Sequence, residues 1–151
     1  MPREIQHQGF TISDDPSRLD ANAAHQFLRG VYWSEQIPLE VVQRALANSF
    51  GVGIYRNDGA QVGLVRLVTD RATFAYVCDV YVLPEYRGLG LSKALMRFVM
   101  THPELQNLRR WHLVTRDAHG LYAQFGFMPA SDLDRHMEKR DPDVYRRLAA
   151  Q

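Results

Sequence analysis

The chain alternates between helix-like and strand-like hydrophobic patterns. Apolar residues at helical spacing over 39–46 predict a helix that starts at Pro38 and continues to about Ser49, and an earlier helix is predicted over 19–31. Alternating or continuous apolar runs predict strands, which lie at 10–13, 50–56, 61–69 and 73–83. The turn 57–59, Asn-Asp-Gly, predicts a hairpin between the second and third of these strands.

The second half of the chain continues with alternating elements. Pro84 ends the strand over 73–83, and the pattern then predicts a helix over 88–101, a strand over 111–115 and a helix over 118–125. No repeat, linker or low-complexity stretch interrupts the chain, so residues 1–151 are expected to form a single domain. The expected fold class is α+β around a mixed sheet, in the order β-α-α-β-β-β-α-β-α-β.

A glycine-rich turn connects the strand over 73–83 to the following helix. Gly88 and Gly90 remove side chains from the turn, Arg87 adds a positive charge, and the first amides of the helix lack intrahelical partners. These features predict a pyrophosphate site, with an ordinary strand-to-helix turn as the alternative. A P-loop is excluded because its Gly-Lys-Ser/Thr order is absent, and a Rossmann fingerprint is excluded because Lys93 replaces its third small residue.

Two segments together resemble a known family. The segment Arg87-Gly88-Leu89-Gly90-Leu91-Ser92 resembles motif A of the GNAT superfamily of acyl-CoA-dependent N-acetyltransferases, although Ser92 stands where glycine or alanine is usual. Leu121-Tyr122-Ala123-Gln124-Phe125-Gly126-Phe127 resembles the family's motif B, a helical tyrosine followed by Gly-Phe. The resemblance covers most of the chain, most specifically residues 74–128, and it implies a GNAT-like fold.

The resemblance also implies a donor site for acetyl-CoA. The pyrophosphate is expected at the amides of Gly88, Leu89, Gly90, Leu91 and Ser92, with help from Arg87. The pantetheine arm is expected along the strand edge at Val80, Tyr81 and Val82, where a β-bulge in the family opens a gap between parallel strands. The sequence itself does not reveal such a bulge. A primary amine of a small molecule or peptide would then attack the thioester directly in a ternary complex.

Two side chains are candidates for catalysis. By its family position, Tyr122 would stabilise the leaving thiolate, and the alternative is that its ring only packs on the sheet. Strand alternation places Val77, Asp79 and Tyr81 on one face, where a partly desolvated Asp79 would have a raised pKa and act as general base. Alternatively, Asp79 only accepts hydrogen bonds that hold the strand geometry. Tyr81 or a water chain could also take the proton.

The acceptor pocket is expected between the first two helices and the sheet. Tyr32 and Trp33 lie in the loop between those helices and could receive a cationic amine through cation–π contacts. Trp33 could equally cap the core.

Composition limits the remaining function classes. With 18 basic and 17 acidic side chains the net charge is +1, so no strong field draws the chain to nucleic acid or to a membrane surface. The six histidines show no paired metal-ligand spacing, so no metal is expected. The lone Cys78 and the absence of a signal-like or membrane-spanning apolar stretch lead us to expect a cytoplasmic protein.

Two alternatives stay open at this stage. The charged tail after residue 131 could be a solvated edge that closes the fold, or it could cover a homodimer contact. The domain could also bind acyl-CoA without catalysis, as a sensor or an interaction module.

Overall fold

A computed structural model describes residues 1–151 and contains one six-stranded mixed sheet, with the strands side by side in chain order. The first five strands are antiparallel neighbours, and the last pair is parallel. The strands are β1 (Glu4–His7), β2 (Phe10–Ser13), β3 (Phe50–Tyr55), β4 (Gln61–Thr69), β5 (Phe74–Val82) and β6 (Arg110–His112). The helices are α1 (Ala21–Leu28), α2 (Leu39–Ala47), α3 (Leu91–Met100), α4 (His119–Ala123) and α5 (Val144–Ala149). The predicted mixed α and β fold is confirmed.

Helices cover both faces of the sheet. The helix α3 packs on one face, where Leu95 and Phe98 join the larger hydrophobic cluster with strand residues such as Val52 and Leu67. Helices α1 and α2 cover part of the other face through a smaller cluster that includes Leu64 and Tyr81. Burial of one large apolar side chain is worth about 1.5–3 kcal/mol, so these two clusters hold the layers together.

The two ends of the predicted element order are corrected by the structure. An extra strand, β1, precedes the predicted first strand and forms a hairpin with it, through a two-residue loop in which Gln8 and Gly9 both have positive φ. The final predicted strand is absent, and α5 occupies the tail instead. After α4 the chain runs through Met128, which is 83% exposed, and Pro129, which has no N–H to donate to a sheet.

Strand β5 carries a bulge. Leu64 of β4 pairs with Tyr81 of β5, and Arg66 of β4 pairs with Cys78 of β5. Val65, the single residue between Leu64 and Arg66, therefore faces two residues of β5, Asp79 and Val80. Asp79 has φ +52°, in the left-handed region. The prediction that Val77, Asp79 and Tyr81 share one face is therefore wrong, because the extra residue shifts the alternation along β5. Val77 packs in the larger cluster beside α3, and Tyr81 packs in the smaller cluster beside α1 and α2. The Asp79 side chain lies on the same side as Tyr81.

Strands β5 and β6 pair only over a short stretch. Residues 74–76 of β5 pair with 110–112 of β6, and β6 ends at His112, earlier than the strand predicted over 111–115. The second half of β5 therefore has β4 on one side and no strand on the other. This divergence between the two parallel strands opens the edge of β5 next to the bulge.

Candidate active site

The glycine turn presents a row of free backbone donors at the start of α3. Gly88 has φ +83° and Gly90 has φ +74°, conformations that side chains disfavour, and Gly90 is the N-cap of the helix. None of the amides from residue 88 to residue 93 donates a hydrogen bond within the protein, and the first bond of the helix runs from Ala94 N to Gly90 O. A turn of this kind provides unpaired N–H groups at the positive end of a helix dipole, which suits an anion.

Neighbouring residues brace this turn. Arg87 donates from Nε to the carbonyl of Val82 at 3.0 Å, and its terminal nitrogens make no other hydrogen bond. Leu91 is 2% exposed and anchors the start of α3 in the large cluster. His7, from the first hairpin, donates from Nε2 to the carbonyl of Leu89 at 3.1 Å. His7 was not predicted as a site residue, because the only nearby feature in the sequence is the turn-forming Gln8-Gly9 pair, which indicates a hairpin and not a contact with Leu89.

A cavity of about 830 Å³ lies between the α1–α2 layer and the diverging strands. Five of the predicted site residues line it, namely Tyr32, Trp33, Asp79, Val80 and Tyr122. The predicted donor residues Tyr81 and Val82 have buried side chains that do not line the cavity. The structure therefore brings together the predicted catalytic and acceptor residues, while the glycine turn lies outside the lining.

Tyr122 projects from α4 into this cavity. The helix begins at His119, and in the turn before it Thr115 Oγ1 accepts a hydrogen bond from the amide of Ala118. Tyr122 is 8% exposed, and its ring makes an edge contact with Phe127. Its hydroxyl makes no hydrogen bond within the protein and keeps contact with the open space of the cavity, since Tyr55 Oη is the only polar side-chain atom that is both buried and unpaired. Burial, with a smaller contribution from Tyr32, raises the pKa of Tyr122 to about 12, so the phenol is protonated at neutral pH.

Both carboxylate oxygens of Asp79 are engaged by other side chains. Arg66 donates from Nε to Oδ2 at 2.7 Å, and Trp33 donates from Nε1 to Oδ1 at 3.0 Å. The side chains of Arg66 and Asp79 are 19% and 12% exposed, so this ion pair is largely shielded from water. These contacts fit the alternative in which Asp79 holds the strand geometry.

The two aromatic residues of the α1–α2 loop are also engaged. The guanidinium of Arg116 lies 3.8 Å from the centroid of the Tyr32 ring, in a cation–π contact. Tyr32 and Trp33 pack edge to face at 5.1 Å, and both side chains are partly exposed. A cation of the protein itself therefore already contacts one face of the Tyr32 ring, which was expected to receive the acceptor ammonium.

The lone cysteine also lines the cavity. Cys78 donates from Sγ to the carbonyl of Arg66 at 3.2 Å. Burial raises the pKa of the Cys78 thiol to about 11, so the nucleophilic thiolate is scarce at neutral pH.

Several cavity residues were missed from sequence. Arg66 and Arg116 belong to no motif, and the tail contributes the segment 138–140 and Tyr145 to the lining. Alternation along β4 would have placed Arg66 beside Leu64 on one face, but no local pattern predicts that the tail returns to the cavity.

The structure shows neither a metal-binding cluster nor a membrane-spanning helix. No three of its His, Cys, Asp and Glu side chains are grouped so that they could hold a metal ion. None of its helices has the length and apolar character needed to cross a membrane.

Comparison with known proteins gives a consistent result. Residues 48–129, more than half of the chain, match the sequence model of the acetyltransferase (GNAT) domain. A protein of Gibberella zeae that is named as an acetyltransferase is 30% identical over an alignment of 145 positions, which covers 82% of this chain and 81% of that protein.

Solved structures extend the comparison to the fold. A Xanthomonas campestris pv. campestris protein described as a GNAT-family acetyltransferase is 47% identical, with a TM-score of 0.88 over 93% of this chain and 99% of that chain. Glucosamine-6-phosphate N-acetyltransferase from Arabidopsis thaliana is 15% identical and shares the fold, with a TM-score of 0.56 over 87% of this chain and 97% of that chain. The matching domain and these relatives establish that the chain belongs to the GNAT family of acetyltransferases.

Proposed function

We propose that this protein transfers an acetyl group from acetyl-CoA to a primary amine of a small molecule or peptide, by direct attack in a ternary complex. One observation carries the proposal: the divergence of β5 and β6 places the free hydroxyl of Tyr122 and the bulge at Val80 in one cavity. An acyl group held along β5 would then lie within the same space as a side chain that can donate a hydrogen bond.

The glycine turn is suited to the pyrophosphate of the donor. The unpaired amides of residues 88–93 and the free terminal nitrogens of Arg87 supply several donors without any side chain in the way. A Cβ at Gly88 would meet nothing within 4 Å, so space beside the turn is open. These properties support a pyrophosphate site at Gly88, Leu89, Gly90, Leu91 and Ser92.

The pantetheine arm would lie along the open edge of β5. Residues Val80, Tyr81 and Val82 have no strand on the β6 side. The Val82 carbonyl accepts a hydrogen bond from Arg87 Nε, so the other backbone groups on that side would bond a peptide-like chain by strand addition. The bulge also leaves one backbone residue of β5 outside the regular ladder with β4. We propose that an amide near Val80 binds the oxyanion that forms during transfer.

Tyr122 would stabilise the departing thiolate as a hydrogen-bond donor. Complete proton transfer is unfavourable, because the Tyr122 phenol has a pKa of about 12 and the conjugate acid of the thiolate has a pKa near 8.5. Such a transfer would be uphill by about 5 kcal/mol. A hydrogen bond from the neutral phenol avoids that cost. The thiolate would complete its protonation from solvent after leaving.

The proton of the attacking amine requires a separate route. Asp79 was expected to accept it, but a proton on either carboxylate oxygen would compete with the bond from Arg66 or from Trp33. Tyr81 is 5% exposed, and burial raises its pKa to about 12, which makes it a neutral donor and not a base at neutral pH. We propose that solvent takes the proton and that Asp79 holds the strand.

Direct transfer agrees with the state of the only thiol. An acetyl-enzyme route would need a reactive thiolate in the cavity, and the raised pKa of Cys78 opposes it. The single cysteine, which has no partner for an intramolecular disulfide, is also compatible with our proposal that the protein works in the cytoplasm. Tyr32 and Trp33 stay our proposed acceptor contacts, with Arg116 as a neighbour that limits access to the Tyr32 ring.

The test is thiol release from acetyl-CoA in the presence of a panel of primary amines, from amino acids and amino sugars to polyamines and peptide N-termini. Amine-dependent release with formation of the N-acetylated product is expected for at least one class. Tight acetyl-CoA binding without turnover on any amine would instead favour the acyl-CoA-binding sensor, and a parallel panel of longer acyl donors would show whether acetyl is the preferred group.

A further inference from the structure

Arg66 lies on β4 directly beside the bulge of β5 and bonds two separate segments of the chain. Its Nε donates to Asp79 Oδ2 at 2.7 Å, and its Nη1 donates to the Ser49 hydroxyl at 3.1 Å. The register pairs it with Cys78, the residue before the bulge. No motif of the sequence includes Arg66, and nothing in the proposed chemistry uses it directly.

The residue that Arg66 binds has an unusual backbone. Asp79 has φ +52°, a conformation that residues with a side chain adopt rarely and that glycine adopts freely. Bulges of this kind commonly use glycine at the left-handed position. This chain has an aspartate there, and both of its carboxylate oxygens are held, by Arg66 on one side and Trp33 on the other. The two hydrogen bonds to this side chain therefore oppose a change of the backbone conformation at Asp79.

The tether also joins the two halves of the cavity. Trp33 belongs to the loop between α1 and α2, and Asp79 lies 46 positions later on the donor strand. The adjacent Tyr32 lines the same cavity, and Val80 directly follows Asp79. A substitution at Asp79 would therefore change the positions of both the proposed oxyanion-binding amide near Val80 and the proposed acceptor loop.

We propose that Arg66 is a positioning residue, which clamps Asp79 so that the bulge and Trp33 keep the donor strand and the acceptor loop in reactive register. The kinetic part of this inference rests on the proposed function. Arg66, Asp79 and Trp33, joined by the two hydrogen bonds to the Asp79 carboxylate, form the Asp79 clamp. The clamp acts on the geometry of transfer, whereas the glycine turn provides most of the donor affinity.

The kinetic test compares Arg66→Gln with Arg71→Gln as a matched control. Arg71 is half exposed and pairs with Glu104, away from the cavity. We expect Arg66→Gln to lower kcat by about 10- to 100-fold, the range for a misplaced reacting group, with less than about 3-fold change in acetyl-CoA affinity. Arg71→Gln should change neither quantity. If Arg66→Gln does not fold, Arg66→Lys replaces it and should show a smaller loss of kcat.

A second background separates positioning from general structural support. Asp79→Gly permits the left-handed backbone without a tether, so Arg66→Gln added to Asp79→Gly should lower kcat no further than about 2-fold. If Arg66→Gln instead lowers kcat by the same factor in both backgrounds, or leaves kcat unchanged in the otherwise natural chain, the proposed role of Arg66 is refuted.

A readout without turnover keeps the clamp testable if no acceptor is found. In a Trp111→Phe background Trp33 is the only tryptophan, so its fluorescence reports the indole bonded to Asp79. We expect Arg66→Gln to shift Trp33 emission to the red and to increase its quenching by acrylamide. Unchanged emission and quenching would contradict the clamp, whereas a wild type that turns over no amine would contradict only the proposed function.

Discussion

Replacement of Tyr122 by phenylalanine removes one hydroxyl from the cavity and leaves the ring in place. The hydroxyl has no partner within the protein and is not sealed from the cavity, so folding should lose little, and the edge contact with Phe127 is retained. The pyrophosphate turn is untouched, so acetyl-CoA affinity should change by less than about 2-fold. What disappears is the hydrogen bond that we assign to the leaving thiolate.

The expected loss can be estimated from the pKa of Tyr122. Because complete proton transfer from a phenol with a pKa of about 12 is uphill by about 5 kcal/mol, the hydroxyl contributes a hydrogen bond and not a proton. Loss of one such donor in a shielded site costs about 1.4–4 kcal/mol, which corresponds to about 10- to 1000-fold in kcat.

The assay is steady-state thiol release at saturating acetyl-CoA and acceptor, repeated from pH 6 to pH 10. Since Tyr122 stays protonated over this range, the wild type and the Tyr122→Phe variant should have the same pH profile at different heights. Unchanged kcat would refute the role of Tyr122. A basic limb near pH 8 that is present only in the wild type would refute the assigned protonation state.

Three further predictions concern buried thiol and phenol groups. Cys78→Ser should keep kcat within about 2-fold, since the protonated thiol takes no part in transfer; a loss of 100-fold or more, measured by thiol release, would revive an acetyl-enzyme route. Tyr55→Phe should leave the free energy of unfolding unchanged or raise it by about 1 kcal/mol, because the Tyr55 hydroxyl is buried without a partner; a clear loss in urea unfolding would argue against this. Burial raises the folded-state pKa values of Cys78, Tyr81 and Tyr122 to about 11, 12 and 12. The stability that these neutral groups provide is therefore complete below their ordinary pKa values and is lost as the pH rises towards 11–12. The free energy of unfolding should therefore fall between pH 9 and 11, less steeply in Cys78→Ser, and an equal slope in both proteins would contradict the assignment.

The parts of the site that local sequence determines were predictable. The turn at Gly88 and Gly90 was predictable, because glycines indicate positions that can take positive φ and because the strand before them and the helix after them each have a clear apolar pattern. The helix of Tyr122 was visible for the same reason, although its N-terminal bond from Ala118 to Thr115 was not foreseen. Both features depend on neighbours within a few residues.

The parts that depend on register or on distant contacts were not predictable. The bulge at Asp79 appears only when β4 and β5 are aligned, and it reversed the expected face of Val77 relative to Tyr81. The side chains that engage Asp79 come from positions 33 and 66, which share no motif with it. The first strand was missed because Ile5 is the only large aliphatic residue among its four, and its pairing with β2 supplies the remaining stabilisation.

The central claim is that the glycine turn binds acetyl-CoA, and calorimetric titration with acetyl-CoA tests it most directly. Gly90→Glu places a negative charge where the pyrophosphate should lie, and its Cβ would have only His7 Nε2 nearby, at 3.6 Å. Gly59→Glu is the matched control, because Gly59 also has positive φ and open space but lies in the β3–β4 turn. We expect the wild type and Gly59→Glu to bind acetyl-CoA and the folded Gly90→Glu variant to lose at least about 100-fold in affinity. Absence of binding by the wild type, or equal binding by all three proteins, would contradict the account.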